Sequence, residues 1–154
     1  MRALFRVDQD GRPLDAELPR ELERACFDVL RGWDWPARPA AVVWVPSRSR
    51  PSLVRSLALS IAHAGRLQAL GPLGWAPPSD DGPPRSANSA YRVRDIAERF
   101  SVSQEMAGRL RALGGPVLLV DDYVDTRWTL TLAGRLLRRA GAEAVLPFAL
   151  ASQA

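Results

Sequence analysis

The sequence contains no lysine, and every one of its basic residues is an arginine. A P-loop needs a lysine to hold the β- and γ-phosphates of a nucleotide. The chain therefore contains no P-loop ATPase and is not a motor by itself. Its net charge is +4 at pH 7, with the arginines spread along the chain. This charge permits contact with nucleic acid but does not by itself indicate such contact.

Cysteine and histidine are almost absent, with Cys26 and His63 as the single examples. One cysteine forms no internal disulfide, and these two residues do not suffice for a cysteine- or histidine-based metal cluster. Cys26 falls on the apolar face of a predicted helix with Leu22 and Val29, so we expect a small buried hydrophobe. We expect His63 to lie at the surface.

Long apolar runs are also missing. No segment approaches the ~20 apolar residues of a membrane span. The N-terminal MRALFRVDQDGR has charges where a signal peptide needs its apolar stretch. We therefore expect no membrane partner and a cytoplasmic location. The length of 154 residues fits one domain with a sizeable core, so a single domain over residues 1–154 is expected.

Strand and helix patterns alternate along the chain. Continuous apolar runs at 41–45 and 117–120 predict strands that are buried on both faces. The alternation favours an α/β fold with a mainly parallel central sheet flanked by helices. Weaker strands are predicted at 67–73 and 144–150, helices at 19–30, 51–64, 89–100, 103–113 and 128–140, and a flexible loop at 74–88.

Two segments follow the strong strands and lead into helices. Ligands of such sheets bind beyond the carboxyl ends of the strands, and helix N-termini favour anions. The first segment is 46–50 (PSRSR), and the second is 121–129 (DDYVDTRWT). Paired carboxylates such as Asp121 and Asp122 can hold the two hydroxyls of a ribose or a hydrated magnesium ion. Alternatively, the aspartates only end a strand and cap a helix.

The segment 117–129 (VLLVDDYVDTRWT) resembles the phosphoribosyl-pyrophosphate motif of the type I phosphoribosyltransferases. This resemblance implies their fold, with Asp121 and Asp122 on the ribose hydroxyls. It also implies Mg²⁺ with phosphoribosyl pyrophosphate if the domain is active; no other metal is expected. The implied phosphate loop is Asp125, Thr126, Arg127, Trp128 and Thr129, and the implied pyrophosphate-binding turn is Ser47, Arg48 and Ser49.

A wider resemblance covers 41–64, 85–90 and 114–147. These segments are similar to the phosphoribosyltransferase-like C-terminal extension of RecQ-like DNA helicases from actinobacteria and deinococci. The similarity implies a parent chain with a helicase motor domain and a role in DNA repair. Competence-type phosphoribosyltransferases carry a similar Arg and Asn, which implies ligand contacts for Arg85 and Asn88 in the loop that closes over the site.

Arg127 departs from the family pattern, because the family usually has glycine at that position. Glycine permits positive φ and a close approach of the backbone to phosphate, whereas arginine adds a Cβ but also five donors. Arg127 therefore blocks the pocket, points to solvent or anchors a phosphate itself. Trp128 either packs or stacks on a base, and no nucleobase pocket is recognisable.

Three functions remain open from the sequence. The first is a non-catalytic accessory domain of a RecQ-like helicase that binds a phosphorylated small molecule or DNA. The second is an active Mg²⁺-dependent phosphoribosyltransferase. The third is a protein–protein scaffold module, including a homodimer, because one fold often serves unrelated functions.

Overall fold

A computed structural model describes residues 7, 9–11, 13–76, 99–124 and 128–152. In chain order the elements are α1 (Arg20–Arg31), β1 (Ala41–Trp44), α2 (Pro51–Gly65), β2 (Gln68–Pro72), β3 (Gly74–Trp75), β4 (Phe100–Ser101), α3 (Gln104–Leu113), β5 (Val117–Val124), α4 (Trp128–Ala140) and β6 (Val145–Ser152). The predicted site residues that lie outside the described residues are Arg85, Asn88, Asp125, Thr126 and Arg127.

Four strands form a parallel sheet in the order β2-β1-β5-β6. β1 and the first four residues of β5 are continuously apolar because helices cover both of their faces. Val42 and Leu118 pack toward α1 and α2, whereas Val43 and Leu119 pack toward α3 and α4. The predicted mainly parallel α/β architecture is confirmed.

Most of the predicted helix ends agree closely with the structure. Pro51 opens α2, and Ser103 caps α3 by accepting a hydrogen bond from Met106 N at 3.1 Å. Cys26 is buried and His63 is exposed, both as predicted. Burial, followed by the charge of Glu23, raises the pKa of the Cys26 thiol. Within the described part of the chain, no helix has the length and apolarity needed to span a membrane.

Val29 was wrongly placed on the buried face of α1. Its side chain is 52 % exposed, whereas Phe27 and Leu30 are partly buried against the core that includes Cys26. Phe27 and Leu30 therefore lie with Cys26 on the inward face of α1. The i, i+3 spacing from Cys26 did not distinguish the face that contains Val29 from the face that contains Phe27 and Leu30.

The boundaries around the predicted loop and the helix after it were also wrong. Gly74 and Trp75 are not loop residues but form β3, which pairs antiparallel with Phe100–Ser101 of β4. Phe100 therefore does not end a helix; it is 6 % exposed, and its ring centroid lies 5.5 Å from that of Trp75. This local pairing and burial override the helical periodicity that runs up to Phe100. The remainder of the predicted helix, 89–98, lies outside the described residues, as does 77–88 of the loop.

β5 is longer than its apolar core suggests. It continues through Asp121 and Asp122 to Val124 instead of ending at Val120. The extension exists because β6 pairs with it throughout, with Asp121 opposite Ala149 and Tyr123 opposite Ala151. The two aspartates therefore belong to the end of a strand rather than to the loop after it.

Gly141 ends α4 in a conformation that other residues rarely adopt, with φ +118°, and a Cβ there would clash with Arg111 Cγ. We expect Gly141→Ala to lower the free energy of unfolding by about 1–3 kcal/mol, measured by urea denaturation. Gly108→Ala is the matched control, because its Cβ would meet no atom within 4 Å inside α3 and alanine favours helix. Equal effects of the two substitutions would contradict this account.

Candidate functional site

A cleft of about 270 Å³ opens at the carboxyl ends of β1 and β5. Val45 N donates to Val120 O at 2.9 Å, after which the chain turns away at Pro46 while β5 continues. The different lengths of the two strands leave space beside the end of β5. The cleft is lined by Val45, Pro46, Ser47, Arg48, Trp75, Arg99, Phe100, Asp121, Asp122, Tyr123 and Thr129.

Asp121 and Asp122 form the acidic part of this cleft. They are 5 % and 6 % exposed and are the buried charged side chains among the described residues. Asp122 N donates to Asp121 Oδ1 at 2.9 Å. Burial first, and the neighbouring charge of Asp122 second, raise the pKa of Asp121 to about 7. A pair of this kind is stabilised by a cation or by hydroxyl donors placed in the cleft.

The turn from Ser47 to Arg50 forms a second wall. Ser47 Oγ accepts a hydrogen bond from Arg50 N at 3.0 Å and lies 3.4 Å from Ser49 Oγ. The Arg48 guanidinium carbon lies 4.5 Å from the centroid of the Trp75 ring, at cation–π distance. These contacts hold the Arg48 charge in the cleft that contains the two aspartates.

The N-terminus of α2 is capped from a distant part of the chain. Ser52 N donates to both carboxylate oxygens of Asp15 at 3.0 Å, and Leu53 N donates to Asp15 Oδ1 at 3.2 Å. Desolvation acts to raise the pKa of Asp15, but the hydrogen bonds and the charge of Arg50 outweigh it and lower that pKa. Two of the N–H groups expected to receive an external anion thus already bind an internal one.

Asp15→Ala should lower the free energy of unfolding at pH 7 by about 0.5–2 kcal/mol, because it removes the partner of the α2 N-terminal amides. Since the folded state lowers the pKa of Asp15, this stabilisation is present above the unfolded pKa and is lost as pH falls through the folded value. Urea denaturation at pH 7 and pH 3 measures both effects. Glu17→Ala, at an exposed neighbouring position, is the control; an equal loss there would refute the capping role.

β3 and β4 complete the cleft with residues that the sequence analysis missed. Trp75, Arg99 and Phe100 line it, and Ala76 N donates to Arg99 O at 2.9 Å. Trp75 and Arg99, which are distant in sequence, therefore meet at the cleft. Aromatic residues at both ends of the proline-rich stretch were the available signal, but each β strand here is two residues long and gives no periodicity.

The start of α4 adds Thr129 to the cleft wall. Trp128 precedes it and is 49 % exposed, which excludes a core packing role for its ring. Tyr123, which also lines the cleft, is 39 % exposed. Stacking of a base on Trp128 remains a prediction.

Five of the predicted site residues come together in this cleft. Ser49 and Trp128 neighbour it in sequence but are not among its lining residues. Arg85, Asn88 and the loop 125–127 are outside the described residues, so their predicted contacts stay predictions. The residues that converge are Ser47, Arg48, Asp121, Asp122 and Thr129.

The acidic pair fits a magnesium ion that is bound together with a ligand. Across the described ranges, no group of three or more His, Cys, Asp or Glu side chains is placed to hold a metal ion. Mg²⁺ keeps several waters and commonly takes one or two carboxylates together with substrate phosphates. Asp121 and Asp122 match a site of this kind, in which two carboxylates and a phosphate-bearing ligand share the ion.

Comparison with solved structures identifies the fold of this chain. The chain matches the allosteric regulatory enzyme of purine biosynthesis at a TM-score of 0.50 and 19 % identity, covering 84 % of this chain and 25 % of that one. The fold is that of the type I phosphoribosyltransferases. The chain spans about a quarter of the length of that enzyme, and fold likeness alone does not assign an activity.

Two further solved structures match at lower TM-scores. Glutamine phosphoribosylpyrophosphate amidotransferase from B. subtilis gives a TM-score of 0.49 at 21 % identity, covering 84 % of this chain and 26 % of that one. Orotate phosphoribosyltransferase from Aeropyrum pernix gives 0.44 at 16 % identity, covering 96 % and 84 %. No family model and no curated protein matches the chain.

Proposed function

We propose that the cleft binds a 5-phosphoribosyl ligand together with Mg²⁺, and that the chain does so as a non-catalytic accessory domain of a RecQ-like DNA helicase. One observation carries the ligand assignment. The buried pair Asp121 and Asp122 shares a cleft of about 270 Å³ with the cations Arg48 and Arg99. A ligand that satisfies both must combine hydroxyl donors or a bound cation with a separate anionic group.

A ribose phosphate has this combination of groups. Its vicinal hydroxyls donate to carboxylates, which act as hydrogen-bond acceptors alone when they are ionised. Its phosphate oxygens accept charge-assisted bonds from guanidinium groups, available here from Arg48 and Arg99. Asp121 and Asp122 would hold Mg²⁺, which when bound would supply positive charge that offsets the charge of the phosphates.

One departure in sequence favours binding without catalysis. Arg127 replaces the glycine usual at that position in the family's phosphate loop. Release of pyrophosphate in the presence of nucleobases would favour the active enzyme instead.

The helicase context rests on the resemblance of residues 41–64 and 114–147 to the extension of RecQ-like helicases. Since this sequence has no lysine and therefore no P-loop, ATP hydrolysis would belong to a separate motor domain of the parent chain. The proposed domain would then bind a phosphorylated ligand next to that motor domain.

Single-stranded DNA is a second candidate ligand, favoured by exposed aromatic residues around the cleft. Trp75, Tyr123 and Trp128 are 39 %, 39 % and 49 % exposed. Aromatic platforms beside arginines bind single strands by stacking, with strong dependence on salt. Fluorescence anisotropy of a labelled oligonucleotide between low and moderate salt tests this candidate. No binding at low salt would remove it.

Calorimetric titration tests the ligand class directly. Phosphoribosyl pyrophosphate with Mg²⁺ should bind more tightly than ribose 5-phosphate, and inorganic phosphate should bind most weakly. Arg48→Gln should weaken the first ligand about tenfold or more, since a hydrogen bond to a charged group contributes ~1.5–3 kcal/mol. Arg55→Gln, at an exposed position on α2 outside the cleft, should not. Absence of binding at millimolar concentrations would reject the proposal.

A further inference from the structure

A second cavity, of about 390 Å³, lies at the other edge of the sheet. Its lining includes Pro39, which precedes β1, and Leu67, which precedes β2. The cavity thus lies at the amino ends of the strands, beside the C-terminal ends of α1 and α2. The phosphoribosyl cleft lies at the carboxyl ends, so the two sites share no residue.

The walls of this amino-edge cavity are mainly apolar. Phe27 and Leu30 of α1 face Ile61 of α2 across it, and Leu118 of β5 contributes to the wall. Trp35 completes the cavity; its indole Nε1 donates to Leu30 O at 2.8 Å. That bond satisfies the one polar group of the ring and leaves its carbon atoms to line the cavity.

Two exposed arginines, Arg31 and Arg38, are among the lining residues, and no carboxylate is among them. Arg38 Nη2 donates to Gly65 O at 2.5 Å, at the end of α2. Arg31 Nη1 lies 3.3 Å from Asp28 Oδ1 in a pair whose side chains are both 75 % exposed. Each guanidinium has five N–H donors, so one bond leaves most of its hydrogen-bonding capacity for an anion.

We propose that the amino-edge cavity binds a small amphipathic carboxylate, with an aliphatic or aromatic body of medium length. The volume falls within the range of small-molecule pockets, and burial of the apolar body provides the driving force. The carboxylate would lie at Arg31 and Arg38 in charge-assisted hydrogen bonds. The hydrogen bond to the end of α2 explains the position of Arg38 but not that of Arg31. An apolar cavity lined by two arginines matches a ligand with an anionic head group and an apolar body.

Octanoate, octanol and octylamine are matched probes, because they share a chain length and differ in head-group charge. Calorimetry should give the tightest binding for octanoate, at least tenfold weaker binding for octanol and none for octylamine. The NMR signal of the Trp35 indole N–H, assigned with Trp35→Phe, should shift with octanoate and report occupancy at this site.

Variants separate the head-group contacts from the cavity itself. Arg31→Gln and Arg38→Gln should each weaken octanoate about tenfold and leave octanol unchanged. Arg24→Gln on α1 and Arg55→Gln on α2 are controls that alter the same net charge outside the cavity. Ala64→Phe, which enlarges a lining side chain, should weaken both octanoate and octanol; thermal unfolding establishes that each variant is folded.

Three results would each overturn the proposal. They are equal affinity for octanoate and octanol, an equal loss of octanoate affinity in the control variants, and octanoate binding that leaves the Trp35 indole signal unmoved. Failure of octanoate to bind at millimolar concentration would also reject it. None of these outcomes affects the phosphoribosyl proposal, which depends on the opposite edge of the sheet.

Discussion

Asp121→Asn is expected to raise the free energy of unfolding at pH 8 by up to about 4 kcal/mol, even though Asp121 lies in the proposed ligand cleft. Burial and the neighbouring Asp122 raise its pKa from 3.8 to about 7, and each pKa unit corresponds to ~1.4 kcal/mol. Ionised Asp121 therefore destabilises the folded chain. Asparagine removes this charge and keeps an oxygen that can accept from Asp122 N, as Asp121 Oδ1 does.

The same shift fixes the sign of the pH dependence. Between about pH 4 and pH 7 the unfolded chain has released the Asp121 proton while the folded chain retains it. Stability therefore falls as pH rises through this window and levels off above it. Asp121→Asn should flatten that slope in urea denaturation series from pH 5 to pH 8. Asp28→Asn, at an exposed position, should keep the pH slope of the wild type. If Asp121→Asn were less stable than wild type at pH 8, the electrostatic explanation would be contradicted.

Leu119→Ala should lower the free energy of unfolding by about 2–5 kcal/mol, the range for leucine deletion in a close-packed core. Leu119 is 0 % exposed in the apolar first half of β5 and packs in the cluster that includes Met106 of α3 and Leu137 of α4. The central position of β5 between β1 and β6 leaves little freedom for the cavity to collapse.

Leu59→Ala is the matched control for this core substitution. Leu59 lies on α2 and is 38 % exposed, so its loss should lower stability by less than about 1 kcal/mol. Urea denaturation of the two variants measures the difference. Similar losses would mean that β5 is not the centre of the core.

The central elements of the fold were predictable because their signals are local. Residues 41–45 and 117–120 are apolar at every position, which is required of strands covered on both faces. The wrong boundaries have a different origin. Phe100 and the end of β5 take their structure from pairing with Gly74–Trp75 and with β6, and such pairing is not encoded in a short window of sequence.

The site residues show the same difference between local and long-range signals. Asp121, Asp122 and Thr129 belong to one continuous motif that begins with an apolar strand, so the sequence placed them together at the carboxyl end of that strand. Trp75 and Arg99 reach the cleft through an antiparallel contact between segments far apart in the chain. The aromatic residues Trp75 and Phe100 were the available signal for that contact, but strands of two residues carry no alternation that would predict their pairing.

The central claim is that ionised Asp121 binds the ribosyl part of a phosphoribosyl ligand. Titration of phosphoribosyl pyrophosphate with Mg²⁺ at pH 8 into wild type, Asp121→Asn and Asp28→Asn tests it most directly. We predict that Asp121→Asn loses affinity by at least tenfold while unfolding at higher urea concentration than wild type, and that Asp28→Asn binds as wild type does. Wild-type affinity in Asp121→Asn would contradict the claim.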